Sequence, residues 1–196
     1  AMSEPVKDDF QRHLKALISD KSCKALVLTG AGGVFCSGGD VKRQKQNADA
    51  GKDFMSRRLS RLGGSTDIIT TLVSGPKPVV TAVEGPAFGV GMGYAVARDY
   101  SVNNARFAAA QIRRGLCPDG LMYYTVTARV GPGRARELML SGREINGEEA
   151  LRFGLVHEVT EPGKALEAAL VAAERFAAVP PLAFALTKAA MTHSYQ

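Results

Sequence analysis

Two stretches of this sequence combine a short β-branched strand with a run of glycines. The first reads A-L-V-L-T-G at 25–30 and continues to F-C-S-G-G-D at 35–40. The second reads V-V-T-A-V at 79–83, with glycines at 85, 89, 91 and 93. Glycines that follow a buried strand leave backbone N–H groups uncovered by side chains, so these groups can bind a negatively charged oxygen. One N–H from each stretch, aimed at the same oxygen, would form an oxyanion hole.

The elements that must position these stretches alternate between strands and helices. This alternation predicts one α/β domain with a mainly parallel sheet. Further strands are predicted at 99–102 and 155–159, and a loop-rich passage at 106–120. Apolar spacing and alanine content predict helices after Ser3 (the expected N-cap), between Met55 and Val73, and over 94–97, 121–130, 133–140, 147–153 and 164–178.

Composition narrows the class of protein. The 196 residues suffice for one domain with a real core, and no apolar run approaches the roughly 20 residues of a membrane span. Three widely spaced cysteines form no disulfide framework, so a reducing cytoplasm is the expected location. The charge of +6 suits a phosphate-bearing small molecule or a nucleic acid, but the absence of Trp and only 7% aromatic residues disfavour nucleic acid. The three histidines show no metal-ligand spacing, so no metal is expected.

Four motifs, in order along the chain, resemble one family. They are F-C-S-G-G-D at 35–40, A-V-E-G-P-A-F-G-V-G-M-G at 82–93, G-L-C-P-D-G at 115–120, and L-S-G-R-E-I-N-G-E-E-A-L-R-F-G-L-V-H-E-V at 140–159. The chain resembles the enoyl-CoA hydratase/isomerase (crotonase) superfamily over nearly its whole length. The resemblance implies an α/β fold of the crotonase-like (ClpP/crotonase) type, a spiral of β-β-α units with a C-terminal helical region. A single domain is expected over 1–196, with 132–196 as a mainly helical trimerisation part. Against the family pattern, the first strand pair and the last C-terminal helices are missing.

The resemblance also implies a substrate and a binding site. The substrate would be an acyl-CoA thioester, with coenzyme A as part of the substrate and no separate cofactor. The oxyanion donors would be the backbone N–H groups of Ser37 and Val90, although both glycine loops could instead be plain strand-to-helix turns. A homotrimer or hexamer is implied, with no membrane partner. The residues expected to contact substrate or coenzyme A are Cys36, Ser37, Gly38, Gly39, Asp40, Gly89, Val90 and Gln111; for Asp40 a plain cap is an equal alternative.

The acid/base group departs from the hydratase pattern. Hydratases of the family use two glutamates, and the matching positions here are Gly93 and Gln111, neither of which can exchange a proton near neutral pH. Asp119 matches the single acid of some enoyl-CoA isomerases of the family, and its apolar neighbours would desolvate it. The preferred activity is therefore a double-bond shift by 1,3-proton transfer, with Asp119 carrying the proton. As an alternative role, Asp119 is a helix N-cap.

Two other functions stay open at this stage. One is an enoyl-CoA hydratase with non-standard acid/base residues, and the other is a non-catalytic family member that binds acyl-CoA or RNA. Cys36 and Cys117 are interpreted as lining residues rather than nucleophiles, because neither has an adjacent histidine. Glu84 is interpreted as structural. The run of Lys42, Arg43 and Lys45 could contact coenzyme phosphates, but a solvated surface is favoured.

Overall fold

The structure is a computed structural model that describes residues 1–40 and 65–193, without the side chain of His193. The helices are α1 (Glu4–Ser19), α2 (residues 65–74), α3 (Val90–Val96), α4 (Met122–Ser141), α5 (Gly147–Arg152), α6 (Ala165–Ala177) and α7 (Pro181–His193). The strands are β1 (Leu26–Thr29), β2 (Val79–Phe88), β3 (Tyr100–Ala108), β4 (Ile145–Asn146) and β5 (Glu158–Val159). Short 3-10 turns lie at Ala31–Gly33 and Ile112–Arg114.

The sheet is mainly parallel, as the sequence predicts. Strand β2 lies between β1 and β3 and is parallel to both. Along the other edge of β3, β5 pairs in parallel and β4 pairs antiparallel. The carboxyl ends of β2 and β3 therefore meet at one edge, where Phe88 is opposite Ala108.

The two faces of β2 pack against different helices. Val80 and Ala82 contact α6, in a cluster with Ala165, Ala169 and Ala172. Val83 faces the other way, into the core formed with α3, α4 and α5. A third apolar cluster joins α1, α2 and Tyr94 of α3. The sheet is thus buried on both faces, which accounts for the β-branched run that opens β2.

Strand β2 is longer than predicted. The glycine-proline pair at 85–86 is not a turn, because the strand continues through it to Phe88. Gly85 has a φ of 64°, which bends the strand while Pro86 still pairs with Arg106. Helix α3 begins at Val90 rather than Tyr94, so it includes the last two glycines of the motif.

Other boundaries also differ from the predictions. Strand β3 continues to Ala108, and the last strand contains only Glu158 and Val159, because the N–H groups of Leu155 and Val156 bond back to the carbonyl of Ala150. The two helices predicted at 121–130 and 133–140 form one element that is broken at Gly131, where φ is 78° and Pro132 follows. Helix α7 was not predicted. Of the helix predicted between Met55 and Val73, the part up to residue 64 lies outside the described residues, and the rest corresponds to α2.

Among the described residues, no single helix is long and apolar enough to cross a membrane. Helices α6 and α7 satisfy the length and composition only as a pair, and they meet at a bend of 105°.

Candidate active site

The first glycine-rich segment runs beside the end of β2. The N–H of Phe35 donates to the carbonyl of Glu84 at 2.8 Å, and the N–H of Cys36 donates to that of Pro86 at 3.0 Å. In return, the N–H of Phe88 donates to the carbonyl of Cys36 at 3.0 Å. These bonds fix Cys36 opposite Ala87 and leave Ser37 just beyond the paired region.

The second glycine-rich segment turns sharply from β2 into α3. Gly89 has a φ of 56°, a conformation that favours glycine, and its N–H donates to the carbonyl of Ala108 at 2.9 Å. Helix α3 then begins at Val90, so this residue provides the first N–H of the helix.

The two segments touch at Gly91 and Cys36. A β-carbon on Gly91 would lie 2.2 Å from the carbonyl oxygen of Cys36 and 2.8 Å from its Cβ, closer than any side chain allows. A β-carbon on Gly38 would likewise lie 3.1 Å from the carbonyl oxygen of Phe88. Glycine is therefore required for this approach, which packs the segment that contains Ser37 against the start of α3, where Val90 lies.

The amides of Ser37 and Val90 are available as donors. Within 1–40 and 65–193, neither N–H forms a hydrogen bond to another described group. Backbone donors left open beside each other are what an oxyanion hole requires. Their action on a substrate oxygen stays a prediction.

Asp119 lies next to Gln111, and the two side chains are hydrogen-bonded. The amide Nε2 of Gln111 donates to Oδ1 of Asp119 at 3.1 Å, and the Gln111 side chain also lies against Gly89, 3.6 Å from the position of a β-carbon there. Asp119 is half-buried. The side chain of Gln111 therefore connects the second glycine segment to the carboxylate.

The alternative role of Asp119 as a helix N-cap is not supported. Helix α4 begins at Met122 and its N-cap residue is Leu121, which has a φ of 58°. Asp119 precedes the cap by two positions, and its backbone carbonyl accepts from the N–H of Met122 at 3.4 Å.

Gly93 occupies a narrow space between α2 and the Asp119 loop. A β-carbon there would be 3.5 Å from Cδ1 of Ile69 and 3.6 Å from the carbonyl oxygen of Gly120. The position implied for the first hydratase glutamate thus faces the residue that follows Asp119. Residue 93 is glycine and therefore has no carboxylate, whereas Asp119 on the adjacent loop has one.

Tyr94 is a residue near this site that the sequence analysis missed. Its side chain is buried, and its hydroxyl bonds to Oγ of Ser65 at 3.3 Å. Burial raises the pKa of Tyr94 to about 12, with smaller contributions from the charges of Cys36 and Asp119 and an opposing one from the Ser65 bond. The hydroxyl is therefore neutral at physiological pH. The sequence signal that could have identified Tyr94 is its hydroxyl, the one polar side-chain group in the segment Val90–Val96.

The remaining residues that the sequence analysis considered are Glu84, the two cysteines near the glycine segments, and the basic run at 42–45. Glu84 accepts a hydrogen bond from the N–H of Ala165 at 3.1 Å, which ties β2 to the start of α6 and confirms its structural role. Cys36 is buried and Cys117 is exposed. The run at 42–45 lies outside the described residues. In the part of the chain that the structure describes, no three His, Cys, Asp or Glu side chains are grouped to hold a metal ion.

A profile of the enoyl-CoA hydratase/isomerase family matches residues 1–196 of this chain. The chain belongs to the enoyl-CoA hydratase/isomerase family. The expected resemblance is thereby confirmed, and the mixed α/β fold is that of the crotonase superfamily.

Curated relatives of this family member have names that refer to hydration or dehydration. A "Probable enoyl-CoA hydratase" of Mycobacterium tuberculosis is 34% identical over 174 residues, which is 88% of this chain and 64% of that protein. A carnitinyl-CoA dehydratase of Proteus mirabilis is 33% identical over 172 residues, covering 86% of this chain and 63% of that protein. The chain thus spans about 64% of the length of the first of these relatives.

Solved structures of the family superpose closely on this chain. An enoyl-CoA hydratase from Polaromonas has a TM-score of 0.89 and 30% identity, covering 96% of this chain and 73% of that one. An enoyl-CoA hydratase/isomerase from Cupriavidus metallidurans has a TM-score of 0.87 and 35% identity, covering 98% of this chain and 72% of that one. This member of the family therefore keeps the fold of its relatives across the described elements.

Proposed function

We propose that this protein acts on acyl-CoA thioesters by stabilising a thioester enolate between the amides of Ser37 and Val90. Removal of a proton next to the thioester places negative charge on the carbonyl oxygen. Each well-placed amide lowers the barrier by about 3 kcal/mol in comparable sites. The observation that supports the proposal is the contact of Gly91 with Cys36, because it packs the segments that contain the two amides against each other.

The reaction we propose is a double-bond shift in an enoyl-CoA, with Asp119 as the acid/base group. Asp119 takes a proton from C2 of a 3-enoyl-CoA, and the electron pair spreads over C4 and the thioester oxygen. The same carboxyl then returns the proton to C4, which forms the 2-enoyl-CoA. One carboxylate suffices for this transfer, and the positions that provide two glutamates in hydratases are Gly93 and Gln111.

Hydration of a 2-enoyl-CoA is the second candidate. The names of the relatives favour it, since they include an enoyl-CoA hydratase and a carnitinyl-CoA dehydratase. Asp119 would then have to activate water alone. A non-catalytic acyl-CoA- or RNA-binding role is the third candidate, and the charge of +6 is compatible with it.

Assembly and location belong to the same proposal. Helix α7 exposes Leu182 and Leu186, at 71% and 63%, and a homotrimer or hexamer would cover such apolar surface. The three cysteines, Cys23, Cys36 and Cys117, form no disulfide with one another, which is compatible with a cytoplasmic protein.

The test compares Asp119→Asn with the unchanged protein on 3-enoyl-CoA and 2-enoyl-CoA. We expect 3-enoyl-CoA to gain thioester conjugation, and Asp119→Asn to lose roughly 100-fold or more in kcat, because general acid-base catalysis contributes on that order. Asp8→Asn, at an exposed carboxylate of α1, is the matched control and should keep full activity.

Three results would count against this assignment. Isomerisation that does not depend on Asp119 would remove the proton carrier. Formation of 3-hydroxyacyl-CoA from 2-enoyl-CoA would favour the hydratase. Binding of RNA that weakens steeply with salt, without affinity for acyl-CoA, would favour the non-catalytic role.

A further inference from the structure

Gln111 is held rigidly at the point where β3 ends. It precedes the 3-10 turn at Ile112–Arg114, and its own carbonyl accepts from the N–H groups of Arg114 at 2.9 Å and Leu116 at 3.0 Å. The residue is 9% exposed. The hydrogen bonds therefore hold the backbone of Gln111 in place, and burial leaves its side chain little room to move.

The orientation of the Gln111 amide follows from its contacts. Its Nε2 lies 3.1 Å from Oδ1 of Asp119 and 3.6 Å from Sδ of Met122. The NH2 group of an amide donates hydrogen bonds, whereas the amide oxygen only accepts them. The NH2 group must therefore face Asp119, and Oε1 must point away from it.

The amide oxygen of Gln111 has no donor in the described part of the chain, although it is buried. A buried acceptor without a partner costs about 1–3 kcal/mol of folding free energy. The Gln111 amide oxygen therefore lowers the stability of the folded protein. An apolar side chain of the same length would fill the space without that cost.

Because its donor group faces the proposed acid/base residue, we propose that Gln111 is the positioning residue for Asp119. The inference rests on the proposed function and deepens it. The Nε2 bond to Oδ1 orients the carboxylate, which takes the proton from the substrate carbon and returns it. No bond to Gln111 forms or breaks during the transfer, and its amide only sets the direction of the carboxylate.

The first test is Gln111→Met, which keeps the length of the side chain and removes both the donor and the orphan acceptor. We expect kcat to fall by roughly 10- to 100-fold, because a small misorientation of a catalytic group has such effects. The KM should change less than about twofold, since the carboxylate direction matters for proton transfer rather than for binding. The melting temperature should stay the same or rise.

The second test is a double-mutant cycle with Asp119→Asn. If Gln111 acts through Asp119, then Gln111→Met has little further effect on the residual activity of the Asp119→Asn protein. Additive losses would overturn the proposal. A Gln111→Met protein with unchanged kcat would also overturn it, and so would one whose melting temperature falls together with its activity. If Asp119→Asn itself has full activity, the proposed function fails first, and the two failures are thus distinguished.

Discussion

At the scale of single residues, Gly91 determines how closely the two glycine-rich segments approach. The carbonyl oxygen of Cys36 occupies the space that a β-carbon on Gly91 would need. Gly91 has no positive φ, so the requirement for glycine comes from packing and not from backbone conformation. The position of the Val90 amide relative to that of Ser37 thus depends on one missing methyl group.

We expect Gly91→Ala to reduce kcat/KM by roughly 100-fold, because the methyl group must push the two amides apart. Overpacking should also lower the free energy of unfolding by about 1–3 kcal/mol, partly offset by the better helix propensity of alanine. Steady-state kinetics and denaturant titration measure the two effects.

Gly133→Ala is the matched control. Gly133 lies in α4, has no positive φ, and a β-carbon there meets nothing within 4 Å. This variant should keep its activity, and its stability should stay the same or rise, because alanine has the better helix propensity. Full activity in Gly91→Ala would contradict the proposed oxyanion hole.

At the scale of elements, helix α7 is attached to the domain by a buried lysine. Lys188 is 7% exposed, and its Nζ donates to Oδ2 of Asp99 at 2.7 Å and to the carbonyls of Leu72 and Lys77 at 2.8 and 3.0 Å. Burial lowers the pKa of Lys188, while the Asp99 carboxylate opposes the shift. Asp99 also accepts from the N–H of Val79 at 2.8 Å, so one carboxylate connects α7 with β2.

We expect Lys188→Met to reduce the free energy of unfolding by about 3 kcal/mol, because it leaves a half-buried carboxylate and two carbonyls without this donor. Denaturant titration at neutral pH measures this loss. In the matched control Lys164→Met, the exposed pair of Lys164 with Glu167 at 3.0 Å is removed, and a loss below about 1 kcal/mol is expected. Equal losses in the two variants would show that α7 is held by its apolar contacts alone.

At the scale of the whole molecule, α3, α4 and the β5 segment meet at a buried arginine, a half-buried arginine and a histidine. Arg98 is 3% exposed and donates to the carbonyl of Leu155, while Nη2 of Arg129 donates to the carbonyl of Arg98 at 2.6 Å. His157 accepts a hydrogen bond at Nδ1 from the N–H of Ser101 at 3.2 Å and stacks on Tyr100. Desolvation, followed by the charges of Arg98 and Arg129, lowers the pKa of His157 to about 4.

This shift predicts a loss of stability in acid. Above pH 6.5, His157 is neutral in the folded and the unfolded chain, so it contributes no pH dependence. Between about pH 6.5 and about pH 4, the unfolded chain binds a proton at His157 that the folded protein does not, and stability falls. The free energy of unfolding should therefore decline more steeply in this range for the unchanged protein than for His157→Gln.

Denaturant titrations at pH 7, 5.5 and 4.5 would measure the slope. Parallel slopes for His157→Gln and the unchanged protein would contradict the expected shift.

The sequence alone determined the family, the mainly parallel α/β fold and the two strand-glycine segments. These follow from local patterns, since β-branched runs, glycine spacing and motif order lie within short stretches. The positions of α1, α5 and α6 were also predicted to within a few residues. Asp119 was selected by its match to a family motif, and its role stays a prediction.

Only the tertiary structure decided which of these residues meet. The pairing of Gln111 with Asp119, the contact of Gly91 with Cys36 and the anchoring of α7 by Lys188 join segments that are distant along the chain. Strand β2 continues through Gly85 and Pro86 because the neighbouring strand and the first glycine segment bond to it on both sides. A sequence pattern records the preferences of each segment, whereas these contacts depend on how the packed elements fill space and satisfy each other's polar groups.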